Sequence, residues 1–318
     1  MYTLYSGESK KDDTEMRKVY STKLLEIMNT DDRVVSLEAD LMSAMTVDIL
    51  KKEKPNKVIN CGIMEANMIG VAAGMSIAGK YPFVHTFAPF ASRRCYDQLF
   101  MSISYQNNNV KVIASDAGIT ALHNGGTHMS FEDMGIVRGL AGSIVLEVTD
   151  EAMFSNILDQ VSVKDGFYWI RTIRKNAEKI YECGSTFDIG KGNVLRDGND
   201  ITLIANGIMV KEALNASEKL EKNGKSVAVI DMFTLSPIDK ELIVKYANKT
   251  GRIVTCENHS TYNGLGSAVA EVIAENGNAK MRMIGIKQRY GQVGTLEFLK
   301  KEYNLTSEDI YNSAMELF

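Results

Sequence analysis

The chain has 318 residues, 45% of them hydrophobic and 24% charged, an ordinary globular composition with length for roughly two domains. Disordered, collagen-like and disulfide-stapled classes are excluded, and 36 Lys and Arg against 40 Asp and Glu leave no general basic footprint for nucleic acid or an anionic membrane. The four cysteines (Cys61, Cys95, Cys183, Cys256) are scattered, with no CxxC pair and no leader-like segment ahead of them, so reduced thiols in a cytoplasm and no zinc site are expected. The longest apolar runs, such as Ile69 to Ala78, fall short of the roughly 20 residues that cross a bilayer, and a soluble protein is expected.

Short β-branched runs alternate with amphipathic stretches along the chain, which predicts parallel sheets covered by helices, mixed at their edges, in two three-layer α/β domains. In the first, Thr14 to Met28 reads as a helix with an apolar stripe at Met16, Val19, Tyr20, Leu24 and Met28, followed by a strand from Arg33 to Leu37. Lys57 to Asn60 reads as a strand, Glu65 to Ala78 as a helix, Phe83 to Phe87 as a strand, Ala91 to Tyr105 as a helix and Val110 to Ala114 as a buried strand. The unit closes with a helix around Glu132 to Leu140, a strand from Ser143 to Val148, a helix from Glu151 to Val161 capped by Asp150, and a strand from Phe167 to Ile173.

A glycine-bearing, charged stretch then suggests a boundary, giving domains over 1–180 and 201–318 with a linker over 181–200. Beyond it the alternation resumes with strands at Ile201 to Ala205, Ser226 to Asp231, Arg252 to Cys256 and Met281 to Ile286. Helices at Met209 to Glu221, Lys240 to Ala247 and Leu265 to Ala274 separate them, and the chain ends in helical pattern.

Three clusters carry polar chemistry at strand ends. Cys61-Gly62-Ile63-Met64-Glu65 runs from a strand into an apolar helix whose first turn holds Glu65; alone, that carboxylate reads as a charge stabilising the helix N-terminus. Thr86-Phe87-Ala88-Pro89-Phe90 is followed by Arg93 and Arg94; alone, the rings read as core and the arginines as a solvated face, although aromatic faces at the carboxyl end of a parallel strand also suit a flat heterocycle. Ser115-Asp116 leads through His123-Asn124-Gly125-Gly126-Thr127-His128, a loop with two of the four histidines, positioned by a buried strand.

The joint order is more specific than any one cluster. GIMEANMIGVAAGMS, then TFAPFASRRCYDQ, then GGTHMSFEDM, supported by Ser36-Leu37-Glu38-Ala39-Asp40-Leu41 and by Glu257-Asn258-His259-Ser260, resembles the carboxyl-terminal half of the transketolase family over essentially the whole chain. The resemblance implies a pyrimidine-binding domain followed by a transketolase C-terminal domain, as in the second subunit of a split transketolase. It implies thiamine diphosphate as cofactor and transfer of a two-carbon ketol unit from a ketose to an aldose.

By resemblance, Glu65 matches the glutamate that hydrogen-bonds the aminopyrimidine and so activates the cofactor's own base. Phe87 and Phe90 match the aromatic residues on the pyrimidine face, and Asp40 an aspartate near the cofactor at the interface. His128 matches the histidine of the THQ segment that contacts the two-carbon unit, giving a second catalytic candidate beside Glu65. Arg94 matches an arginine of the aromatic segment, and Arg174 one that contacts the sugar's terminal phosphate.

Departures concern the substrate. Asp116 stands where many transketolases have a phosphate-holding histidine, and a carboxylate there repels phosphate unless a cation or proton intervenes. Asn124 replaces an aspartate that reads a sugar hydroxyl, and Met129 the glutamine of THQ. A branched, sulfonated or non-phosphorylated sugar is therefore expected among the candidates.

The family's Gly-Asp-Gly motif, which with a later asparagine holds Mg²⁺ on the diphosphate, has no counterpart; Arg196-Asp197-Gly198-Asn199 reads as charged linker without a flanking strand. Mg²⁺ and the diphosphate are expected on an N-terminal partner subunit in an α2β2 assembly, with no metal ligand in this chain. Rival readings are the β subunit of a 2-oxoacid dehydrogenase, a deoxyxylulose phosphate synthase relative, and a catalytically silent regulatory subunit motivated by Asp116, Asn124 and Met129.

Overall fold

The structure is a computed structural model and describes residues 1–318. The chain folds as two compact units, Met1–Ala117 with Ile136–Phe187, and Gly118–Gly135 with Asp188–Phe318.

The first unit carries α1 (Met16–Thr30), β1 (Val34–Glu38), α2 (Asp48–Glu53), β2 (Val58–Asn60), α3 (Glu65–Ile77), β3 (Tyr81–Phe87), α4 (Ala88–Ser92), α5 (Tyr96–Gln98) and β4 (Val110–Ser115). After α6 (Asp133–Val137), β5 (Ser143–Glu147), α7 (Glu151–Ser162) and β6 (Phe167–Arg171) complete it. Six strands pair in parallel in the order β5-β6-β4-β3-β1-β2. Strands β1, β4 and β6 are buried at every position, which is why they read as continuous apolar runs rather than alternating ones. The chain leaves β1 towards β2 on one side and returns through β3 on the other, so the order reverses between β1 and β3. Crevices at such a switch point, beyond the carboxyl ends of the strands, are where open α/β sheets bind ligands.

The second unit carries β7 (Asn193–Arg196), β8 (Ile201–Ala205), α8 (Met209–Lys222), β9 (Val227–Asp231), β10 (Thr234–Ser236), α9 (Lys240–Thr250), β11 (Arg252–Ser260), α10 (Leu265–Asn276), β12 (Lys280–Ile286), α11 (Leu296–Glu302) and α12 (Ser307–Met315). Its sheet runs β12-β11-β8-β9-β7, parallel except for β7, which lies antiparallel on β9. The α/β class with a mixed edge is as expected.

Two local expectations need correction. The helix expected over Ala91 to Tyr105 is broken into α4, a 3₁₀ turn (Arg93–Cys95), α5 and a π-helical stretch (Leu99–Ser104). Side chains enter its ladder: Ser92 Oγ donates to the Ala88 carbonyl at 2.6 Å and Cys95 Sγ to the Ala91 carbonyl at 2.7 Å. The charged stretch Arg196-Asp197-Gly198-Asn199 does follow a strand, β7, and is the turn into β8. Its Asp197 accepts from the Tyr246 hydroxyl at 2.8 Å and pairs with Lys249 at 2.5 Å, and no room exists at Gly198 for a Cβ against the Val227 and Ala228 backbone. No helix is long and apolar enough to cross a membrane. No group of three His, Cys, Asp or Glu side chains is arranged to hold a metal ion.

Candidate functional site

In the first unit the strand ends at the switch point bring together most of the residues singled out from the sequence. Glu65 opens α3 and is 2% exposed. One of its oxygens, Oε1, accepts from Arg94 Nη1 at 2.7 Å, while the other, Oε2, is buried with no hydrogen-bond partner in the chain. A buried carboxylate oxygen left without a donor is costly, so this atom marks a place where a donor from outside the chain fits.

Phe87 ends β3 and Phe90 lies in the first turn of α4, with ring centroids 6.0 Å apart and planes tilted by 32°. Guanidinium groups flank this pair. Arg94 stands 4.1 Å from the Phe90 centroid and Arg174 stands 5.0 Å from that of Phe87. Arg174 Nε in turn pairs with Asp116 Oδ2 at 2.6 Å. Asp116 is 3% exposed and sits at φ +55°, a left-handed conformation that aspartate tolerates better than most residues. Burial pushes its carboxyl pKa up, and Arg174 acts in the opposite direction. The cation needed to hold an acidic group at this position is thus supplied by the chain itself.

Asp40 is exposed just past β1, also in the left-handed region at φ +60°. It exchanges two hydrogen bonds with Asn60 at the end of β2: its backbone N–H donates to Asn60 Oδ1 at 3.0 Å, and Asn60 Nδ2 donates to Asp40 Oδ1 at 3.1 Å.

The family models match nearly all of this chain: transketolase, pyrimidine binding domain, over residues 12–179, and transketolase, C-terminal domain, over residues 190–310. The chain belongs to the transketolase family. Among its relatives, the 6-deoxy-6-sulfo-D-fructose transketolase subunit of Clostridium sp. (strain MSTE9) is 43% identical over 98% of this chain and 96% of that one. A putative transketolase C-terminal section of Methanocaldococcus jannaschii is 40% identical over 95% of both. Human transketolase is 32% identical over 81% of this chain but only 42% of its own length. A solved structure described as a split gene transketolase, inactive beta4 tetramer, superposes with a TM-score of 0.87 at 35% identity, covering 96% of this chain and 98% of that one.

Within this transketolase-family chain the remaining expected site residues, Asn124 and His128, lie on the segment that folds with the second unit. That segment is pinned by Ile119 N–H donating to Asn258 Oδ1 at 3.0 Å, Gly135 N–H to His259 Nε2 at 3.2 Å and Ser260 N–H to the Phe131 carbonyl at 2.6 Å. Asn124 is exposed, and His128 is half-buried with Nδ1 2.8 Å from Thr127 Oγ1. His259 itself is fully buried, in keeping with a structural role.

Sequence reasoning gave no role to three residues beneath the site: Glu38 and Ser115, which it quoted only within their motifs, and His85, which it did not single out; all three are fully buried. The available signal was a titratable residue at an inward position of each strand, Glu38 in Val-Val-Ser-Leu-Glu and His85 in Tyr-Pro-Phe-Val-His-Thr-Phe.

Proposed function

We propose that this chain is the pyrimidine-binding and C-terminal half of a two-chain transketolase, active in the cytoplasm as an α2β2 assembly. Joined to a partner that carries the diphosphate and Mg²⁺ site, it transfers a two-carbon ketol unit from a ketose donor to an aldose acceptor. The observation that carries this reading is the Glu65 carboxyl: one oxygen is held by Arg94, whose guanidinium stands 4.1 Å from the Phe90 centroid, and the other is buried without a donor.

These residues fit thiamine diphosphate, and fit it by the end that bears the ring rather than the phosphates. Glu65 would meet the protonated ring nitrogen of the aminopyrimidine, Phe87 and Phe90 would pack on its face, and Asp40 would stand near it at the subunit boundary. When bound, the cofactor supplies the nucleophilic carbon that no side chain of this protein offers. Glu65 holds a proton at the ring nitrogen, Arg94 keeps the carboxyl from rotating away, and the two phenylalanines exclude water from the same space. His128 and Asn124 would hydrogen-bond substrate oxygens, and Arg174 would face the far end of the sugar with Asp116.

An anionic sugar terminus is favoured. The two subunit relatives named by substrate act on a sulfonated ketose and, in Phocaeicola vulgatus at 32% identity, on apulose 4-phosphate. The partner is proposed to cover exposed apolar residues of the first unit. Ile63, Met64, Phe100, Met101 and Tyr105 are between 43% and 74% exposed, and the Phe100 and Tyr105 rings stack 6.5 Å apart. The split-gene neighbour, an inactive beta4 tetramer, agrees with a half that needs its complement.

The test is co-expression with a transketolase N-terminal-section chain from the same genome, followed by a ketol-transfer assay with thiamine diphosphate, Mg²⁺ and a panel of phosphorylated, sulfonated and neutral ketoses. Transfer by the pair and none by either chain alone is expected. A pair that assembles and binds the cofactor yet transfers nothing to any acceptor overturns the reading.

A further inference from the structure

Beneath the site, three side chains from the neighbouring strands β1, β3 and β4 and a fourth just past the end of β4 form one continuous polar chain. His85 Nδ1 lies 2.7 Å from Glu38 Oε2, and its Nε2 lies 2.9 Å from Ser115 Oγ. Ser115 Oγ donates to Asp116 Oδ2 at 3.2 Å, and the same oxygen pairs with Arg174 Nε. The sheet register enforces the first links: Glu38 sits opposite His85 across β1 and β3, and Phe87 opposite Ser115 across β3 and β4. Glu38, His85 and Ser115 are 0% exposed, so no water screens the chain along its length.

The direction of the hydrogen bonds has a chemical consequence. Ser115 has one proton. If it donates to Asp116, then His85 Nε2 must be the donor to Ser115, and with Nδ1 donating to Glu38 the ring is an imidazolium between two carboxylates. If instead the proton on Nε2 moves to Ser115 Oγ while the Ser115 proton moves to Asp116 Oδ2, the ring is neutral and Asp116 is a carboxylic acid. The two arrangements contain the same atoms and the same total charge, and differ in two short proton shifts that together carry one proton from His85 to Asp116.

We propose that Glu38, His85 and Ser115 are a buried proton relay that ends on Asp116, so that Asp116 switches between a carboxylate that covers Arg174 and a carboxylic acid that releases it. Its role towards substrate rests on the ketol-transfer reading: the arrival of a phosphate or sulfonate at Arg174 draws the proton out to Asp116, which then donates to the anion instead of repelling it. His85 is a positioning residue in this scheme and does not touch substrate. Burial raises the pKa of both Glu38 and Asp116, so a proton is held readily at either end. The other titratable groups around the chain are Tyr20 of α1, with its ring centroid 6.3 Å from that of His85, Asp48, whose charge raises the pKa of Glu38, and Cys61, whose own pKa is raised by burial and by Glu38.

The test is nitrogen NMR of the full chain labelled with ¹⁵N-histidine, which carries only four imidazoles, the His85 signals being assigned through the backbone. In the wild-type chain Nε2 is expected to carry a proton at neutral pH. In Asp116→Asn it is expected to lose that proton and become the acceptor of the Ser115 hydroxyl. In Ser115→Ala the state of Nε2 should no longer depend on whether position 116 is Asp or Asn, and Ser115→Thr, which keeps a hydroxyl, should restore the dependence if alanine disturbs folding. An Nε2 signal identical in wild type and Asp116→Asn overturns the relay. Titration of the wild-type chain with inorganic phosphate, and separately with methanesulfonate, reads the second half of the proposal: movement of Nε2 towards its deprotonated position with one anion or both names the terminus recognised, and no movement with either overturns the anionic assignment. This readout needs neither the partner chain nor turnover, so it holds or fails independently of the ketol-transfer assay.

Discussion

Glu65 and Arg94 meet at 2.7 Å across the start of α3 and the 3₁₀ turn after α4, and the pair leaves the second Glu65 oxygen buried without a donor. The side chains differ sharply in exposure, 2% for Glu65 and 44% for Arg94, so the arginine acts from the solvent side and steers an inward-facing carboxyl. Its contribution to stability is small for so exposed a cation, and its value lies in orientation.

Glu65→Gln is therefore expected to leave the fold and assembly intact and to lower kcat of the reconstituted pair by roughly 10²- to 10⁴-fold, the range for losing a positioned proton-handling group. The amide keeps the shape and loses the ability to share a proton. Steady-state kinetics beside a circular dichroism spectrum of the variant checks this, and full turnover in Glu65→Gln removes the proposed mechanism.

Placing a charge on the exposed apolar surface of the first unit should separate assembly from folding. Met64→Asp and Phe100→Asp put an anion at side chains already 59% and 43% exposed, so the isolated chain should fold as before. Association with the partner should weaken by about ten-fold or more for each, as for a central apolar contact. Light scattering on mixed chains at several concentrations is the measurement, and unchanged assembly in both variants would place the partner elsewhere.

The buried runs were the legible part of the fold. Ile201–Ala205 is a strand over the expected residues because five consecutive apolar or β-branched positions have no exposed face to break the pattern. Less legible were elements whose burial is slight. Helix α2 buries only Leu50, and β7 alternates buried and half-buried positions inside a charged stretch, so neither carries a strong periodic signal. At the site, Glu65, Phe87 and Phe90 stood out by type and place. Arg94, Asp116 and Arg174 were named as well, but not their pairings, because Glu65 meets Arg94 and Asp116 meets Arg174 only once the parallel strands set their connecting segments side by side, which no local spacing encodes. The meeting of Glu38 and His85 was hidden for the same reason: each is a polar residue within a largely apolar strand, and only the sheet puts them face to face.

A second buried ion pair gives a test of the first unit's core. Arg171 on β6 and Glu147 on β5 are opposite in register, 2.8 Å apart and essentially inaccessible. Arg171→Met strips a buried carboxylate of this guanidinium and is expected to cost about 3–5 kcal/mol. The double variant with Glu147→Leu removes both desolvation penalties and should recover most of that loss. Urea unfolding midpoints at constant slope measure both, and a double variant no more stable than the single one would show that the pair contributes net stability instead of merely compensating itself.

The pH dependence of stability should carry the mark of Asp12. This residue is 6% exposed, its Oδ2 accepts from the Glu151 N–H at 2.8 Å, and burial, with Asp150 and Glu151 nearby, raises its carboxyl pKa from the ordinary 3.8 to about 7. The folded chain thus holds this proton up to about pH 7, whereas the unfolded chain releases it near 3.8. Folding takes up a proton in that window, so this contribution is complete below it, falls as pH rises through it and is lost above it. The loss is on the order of a few kcal/mol, partly offset by the charge on the retained hydrogen bond. Asp12→Asn keeps an acceptor for the Glu151 N–H and removes the titration. Thermal unfolding from pH 5 to pH 8 should show wild type losing stability relative to Asp12→Asn as pH rises, with the two converging towards pH 4; parallel curves would mean that Asp12 ionises in the folded chain as it does in water.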